Sequence, residues 1–201
     1  MRPWAIVAGR VVLAAFCGFA CILTLMLTVG EGGARHYDSS PAEWRAAVTS
    51  NPRLSSAWIQ LGLYAEREGH LPEAEADLLQ AARVDRQYVP AWTLANFYFR
   101  RGDPASFWPW AQRAAALTFD DYRPLLRLAD RLAASPTEAS ARMGGGAPLL
   151  RAYLDLLIGA ARLDSAQEIA LALREYHDPS DAARLADFAD RAARASEIPK
   201  P

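Results

Sequence analysis

The stretch SSAWIQLGLYAEREGHLPEAEADLLQAARV, Ser55 to Val84, decides how the chain is read. Gly69, Ala74, Leu78 and Ala81 stand at the spacing expected of two antiparallel helices joined by a tight turn. Small residues sit where two helices approach closely, and large ones fill the gaps between them. Downstream the pattern returns: Ser56-Ala57-Trp58-Ile59-Gln60-Leu61-Gly62 aligns with Pro90-Ala91-Trp92-Thr93-Leu94-Ala95-Asn96, which sets Trp58 against Trp92. Self-similarity at so regular an interval points to stacked helical repeats.

In Ser55 to Tyr88 the residues Trp58, Leu61, Gly62, Ala65, Gly69, Ala74, Leu78 and Ala81, followed by Asp85, resemble the tetratricopeptide repeat. Ala65 stands where that family usually has Tyr, and Arg86 replaces its terminal proline. Trp44, Ala47 and Asn51-Pro52 read as the second half of a preceding unit. The next unit, Val89 to Asp121, keeps Trp92, Phe99 and Ala114 but is one residue short, with Gly102-Asp103 arriving early. Phe107-Trp108-Pro109-Trp110 stands where its second helix is expected to begin. A third first-helix is expected over Tyr122 to Ala134, with Leu125, Leu128 and Leu132 on one face. Residues 135–148, including Ser135-Pro136 and Gly144-Gly145-Gly146, read as a Gly/Pro/Ser loop and hinge. Leu149 to Ala160 and Ser165 to Arg174 form a degenerate helical pair. Asp181 to Ala195, with Leu185, Phe188 and Ala192 on one stripe, reads as a terminal capping helix.

Toward the N-terminus the character changes. From Val11 to Val29 only Gly18, Thr24 and Thr28 are not apolar. As a helix this run reaches about 28 Å, close to the hydrocarbon thickness of a bilayer. Arg2 and Arg10 precede it and the acidic residues begin after it, at Glu31, so the positive-inside tendency keeps the N-terminus cytoplasmic. A cleaved signal peptide has the same charge order with a shorter apolar core, and Gly32-Gly33-Ala34 is its best cleavage site here. Cys17 and Cys21 fall within the run and read as small apolar lining.

The fold expected is therefore all-α: an N-terminal transmembrane helix followed by a short right-handed α-solenoid of antiparallel helix pairs, three to four repeats in all. Residues 1–10 form a cytoplasmic N-terminus, 11–29 the signal anchor and 30–40 a linker. Repeats occupy 41–134, the loop 135–148, and the degenerate repeat with its cap 149–195, leaving 196–201 as a tail.

The chain has 201 residues, 52% of them apolar and 22% charged, with a net charge of −1. Its 22 cations less Arg2 and Arg10 leave 20 against 23 anions, so the part after the anchor carries −3. That balance argues against a nucleic-acid binder, which needs clustered cations. His36, His70 and His177 have no second ligand at metal spacing and no partner nucleophile. The three glycines at 144–146 lack the Lys-Ser/Thr of a phosphate loop. Glu73, Glu75 and Asp77 read as a solvated helix face. The sequence thus points to no enzyme, no metal and no cofactor.

The resemblance implies binding instead. In the tetratricopeptide family the first helix of each unit lines a concave face through fixed positions. Here they are Ile59, Gln60, Leu63, Glu66 and Arg67, then Thr93, Leu94, Phe97, Arg100 and Arg101, then Arg123, Arg127 and Asp130. The implied groove has an apolar floor (Ile59, Leu63, Leu94, Phe97) and five arginines against two acids. Such a surface suits a protein or peptide of acidic character, because Arg pairs bidentately with carboxylates. The carboxylate clamp of some family members needs Asn at the ninth positions, where this chain has Leu63, Phe97 and Asp130. The expectation is a protein-interaction scaffold in the bacterial inner membrane, its repeats extracytoplasmic, or an exported protein if the signal is cleaved. Two alternatives stand beside it. One is a carbohydrate-binding accessory of polysaccharide synthesis or export, using Trp108 and Trp110 from an aromatic cluster that also includes Trp92, Phe97, Tyr98, Phe99 and Phe107. The other is a structural subunit of a membrane complex.

Overall fold

The computed structural model describes residues 40–118 and 121–196, which fall into two units divided between Ala46 and Ala47. The expected membrane span over 11–29, with Cys17, Cys21 and His36, lies outside the described residues. Among the described residues the chain is all-α, and no helix there is long and apolar enough to cross a membrane.

The helices are α1 (Pro41–Ser50), α2 (Ser55–Arg67), α3 (Leu71–Val84), α4 (Tyr88–Arg100), α5 (Pro104–Leu117), α6 (Arg123–Leu132), α7 (Pro136–Arg142), α8 (Ala147–Gly159), α9 (Leu163–Arg174) and α10 (Ala182–Ser196), with a 3₁₀ turn at Pro179–Asp181. Of the first unit only Ser40 to Ala46 is described. There Ser40 and Glu43 form a reciprocal capping box, Ser40 N donating to Glu43 Oε2 at 2.7 Å and Glu43 N to Ser40 Oγ at 3.4 Å.

In the second unit consecutive helices pack as hairpins, α2 on α3, α4 on α5, α6 on α7 and α8 on α9. Each first helix also touches the next, in the row α2, α4, α6, α8. The turns explain the regularity. Gly69, at φ 83°, ends α2 with His70 N bonding Ala65 O and Gly69 N bonding Glu66 O. Gly102, at φ 66°, repeats both bonds at the end of α4, from Asp103 N to Tyr98 O and from Gly102 N to Phe99 O. This is the left-handed helix stop that glycine supplies without steric cost. At the end of α8 the same pair of bonds closes on Ala161, at φ 55°, a non-glycine in that conformation.

The first hairpin closes most tightly at Gly62. A Cβ there would stand 2.7 Å from Leu78 Cγ and 3.0 Å from the Ala74 carbonyl oxygen, so only glycine fits without displacement. When the two hairpins are aligned on their helix starts and turn glycines, Ala95 and Ala111 replace Gly62 and Leu78. The volume is redistributed: Ala65 and Ala74 of the first hairpin become Tyr98 and Phe107. Phe107 meets Trp108 edge-on with ring centroids 5.0 Å apart. Such compensation, small for large at one layer and large for small at the next, keeps both hairpins close-packed.

Three sequence expectations change. The second helix of the second hairpin begins at Pro104, not at Phe107, because Asp103 caps it by accepting from Ser106 N at 3.1 Å. Pro109 consequently lies inside α5. The stretch expected as a loop over 135–148 holds α7: the Ser135 hydroxyl caps it by accepting from Glu138 N at 3.1 Å, and Pro136 takes the first turn, where its missing N–H costs nothing. Only Met143 to Gly146 remains as connection. On α6 the fully buried stripe is Leu125, Leu126 and Ala129, with Leu128 and Leu132 half-buried.

The C-terminal end is held by charge as well as by Phe188. Arg151 of α8 donates to Asp181 at 2.6 and 3.0 Å and to Asp178 at 2.5 Å, and Arg184 of α10 reaches Asp181 at 3.3 Å and Asp155 at 2.9 Å. Asp181 is 1% exposed, so its carboxylate requires these cations.

Candidate functional site

The row of first helices is the surface on which the sequence places a groove. Its helices are cross-linked by their side chains. Arg100 of α4 pairs bidentately with Glu66 of α2, at 2.7 and 2.6 Å. The Arg131 guanidinium of α6 lies 5.9 Å from the Phe99 ring of α4. Tyr153 of α8 donates to Asp130 of α6 at 2.6 Å, and Arg162 binds the other oxygen of that carboxylate. Burial first, then the hydrogen bond to Asp130, pushes the Tyr153 phenol above its ordinary range.

The expected groove residues distribute unevenly. Leu94 and Phe97 are fully buried and belong to the core, not to a groove floor. The reason is register. The helix starts and the turn glycines Gly69 and Gly102 recur one residue sooner than the tryptophans do. Aligning Trp58 with Trp92 therefore shifts every groove position of α4 by one residue. The partly accessible residues of that face are Trp92, Thr93, Asn96 and Phe99. Ile59 is buried at 8% exposure, and Leu63 is half-buried. Arg101 turns toward the second helix of the preceding hairpin, pairing with Glu75 at 2.8 Å, so it leaves the groove. Glu75 also accepts from the Tyr98 hydroxyl at 2.8 Å and is a link between helices, not a solvated face. Arg67 lies over the Tyr64 ring, 5.2 Å from its centroid.

Arg123 and Arg127 do stand together. With Arg131 they occupy every fourth position of α6, one face of the helix. That face borders an open cleft of about 710 Å³ against α8, completed by Asp130, Asp155, Leu156, Leu157, Gly159, Ala160 and Arg162. Arg123 is bound to Asp121 at 2.8 Å, which holds the Asp121 carboxyl below its usual value. Asp130 and Asp155 are engaged by Arg162 and Arg184. Among the described residues Arg127 has no carboxylate in ion-pair contact, although Asp121 acts on it electrostatically, and it lines the cleft. Arg131 is not among the groove positions of the repeat, and Arg162 and Leu156 are not evident because α8 departs from it. The spacing from Arg127 to Arg131 is the signal that points to the first of them.

The aromatic cluster is mostly core. Phe97 and Phe107 are fully buried, Tyr98 and Trp108 are buried, and Trp92, Phe99 and Trp110 are half-buried. Trp108 lies under Arg142 and Trp110 under Arg113, at 5.1 and 5.4 Å, so the two do not form one exposed aromatic face. His70 is exposed in the α2–α3 turn, 3.8 Å from Glu73.

No protein-family model matches the chain, and no curated protein matches it in sequence.

Proposed function

We propose that the chain is a non-enzymatic scaffold of the bacterial cell envelope, a short right-handed tetratricopeptide-like solenoid that holds a protein or peptide of acidic character in the cleft between α6 and α8. The observation that carries this reading is the Arg123, Arg127 and Arg131 face of α6 on an open cleft of about 710 Å³. Guanidinium groups on a rigid helix beside apolar Leu156 and Leu157 suit a carboxylate-bearing segment. The anchor in this reading is the apolar run Val11 to Val29, which keeps the N-terminus cytoplasmic and the helical hairpins on the far side of the membrane. Confinement at the bilayer raises the effective concentration of the scaffold for partners that are themselves membrane-bound.

The test is affinity capture from membranes with the full chain. Wild type is compared with an Arg123→Glu/Arg127→Glu/Arg131→Glu variant, and with Arg53→Glu as a charge control outside the cleft. Loss of captured partners in the triple variant alone supports the reading. An unchanged partner set overturns it.

A further inference from the structure

A second cleft, also of about 710 Å³, opens between α3 and α5, the second helices of the first two hairpins. It is lined by Leu79, Ala82, Arg83, Arg86, Trp110 and Arg113. Three of the six lining residues are arginines and none is acidic. Elsewhere the described arginines commonly find carboxylates: Arg100, Arg101, Arg123, Arg142, Arg151, Arg162, Arg184 and Arg191 all make ion pairs. Arg83, Arg86 and Arg113 make none among the described residues. Arg83 donates to the neutral Gln80 at 3.2 Å, and Arg113 rests 5.4 Å from the Trp110 ring centroid. The nearest acid in sequence, Asp85, accepts instead from Ser55 Oγ and Gln87 N, both at 2.9 Å.

Three like charges around one concavity repel one another, and a bound anion relieves that repulsion. Guanidinium forks match the oxygens of a phosphoryl group and remain charged at any physiological pH. Trp110 and Leu79 give the same cleft an apolar wall for whatever carries the phosphate.

We propose that the α3–α5 cleft binds a phosphate-bearing ligand, with Arg83, Arg86 and Arg113 holding the phosphoryl oxygens and Trp110 packing against the group attached to it. This site shares no residue with the α6–α8 cleft and does not depend on the scaffold reading. The phosphate has two possible sources, a soluble phosphate and the headgroup of an anionic phospholipid.

The full chain in neutral detergent is titrated calorimetrically with inorganic phosphate, with short-chain phosphatidylglycerol, and with short-chain phosphatidylcholine as the zwitterionic control. Saturable binding of phosphate identifies a soluble ligand, and binding of phosphatidylglycerol alone identifies a lipid headgroup. Either supports the site, provided that Arg83→Gln/Arg86→Gln/Arg113→Gln weakens it roughly tenfold or more while the helical circular dichroism is kept. Arg53→Gln should leave the binding unchanged. The proposal fails if neither probe binds better than phosphatidylcholine, or if the triple variant binds as well as wild type.

Discussion

The hydroxyl of Tyr153 donates to Asp130 at 2.6 Å, so a fully buried phenol on α8 is satisfied by a carboxylate on α6. Arg162, just beyond α8, binds the second oxygen of the same carboxylate. One acid thus joins two first helices and the turn that follows them.

Asp130→Ala is expected to destabilise the protein by about 1–3 kcal/mol, because it leaves the buried Tyr153 hydroxyl without an acceptor. Tyr153→Phe removes donor and need together and should cost less, about 1 kcal/mol. Urea unfolding of both single variants and the double variant checks the order. Strictly additive losses in the double variant would show that the bond is not what holds α6 to α8.

Gly62→Ala is expected to cost about 1–3 kcal/mol, since the added methyl meets Leu78 Cγ at 2.7 Å. Leu78→Ala alone opens a cavity and costs about 2–5 kcal/mol. The double variant reproduces the Ala95 and Ala111 pairing that the second hairpin already uses. It should be less damaging than the summed single variants by about 1 kcal/mol.

Ala161→Gly should stabilise the protein by about 0.5–1 kcal/mol, the left-handed strain relieved exceeding the extra freedom glycine gains when unfolded. Thermal unfolding reads the sign directly. The reverse change at the equivalent stop, Gly69→Ala, should destabilise.

Burial and the Glu75 contact raise the Tyr98 phenol above its ordinary value, as burial and Asp130 do for Tyr153. The unfolded chain loses these protons from about pH 10, while the native protein retains them. Native protein then binds more protons than unfolded, so stability falls as pH rises above about 10 and is unaffected by these groups below it. Urea midpoints measured from pH 8 to alkaline pH check this prediction, and Tyr98→Phe and Tyr153→Phe should each flatten the decline.

The helical hairpins are readable from Gly62, Gly69, Ala74 and Leu78 because close approach and left-handed turns restrict residue choice sharply. The register of the second hairpin is not, because Trp58 and Trp92 look equivalent in sequence and differ in place. Trp58 points its indole N–H at the Pro52 carbonyl, 2.9 Å away, whereas Trp92 stacks on Tyr88 with centroids 6.1 Å apart. Turn glycines hold register through backbone geometry, while a large aromatic can find a pocket one residue along. The α7 helix is hidden by Ser135 and Pro136, residues that suit a loop and a helix start equally. Of the cleft, Arg123, Arg127 and Asp130 are reached through the groove positions that the tetratricopeptide resemblance implies. The α8 wall is not, since its contribution comes from packing between segments distant in sequence.

The hairpin-by-hairpin packing among the described residues bears on how the chain acquires its structure. Helix pairs such as α2–α3 and α4–α5 close through contacts short in sequence, so each can form once its own two helices have left the ribosome, without waiting for the C-terminus. The clasp of Arg151 on Asp178 and Asp181, the Arg184–Asp155 pair and the burial of Phe188 must wait for the last segment to be synthesised. Assembly is thereby given a direction, from Ser55 toward Ser196, with the charge clasp closing last.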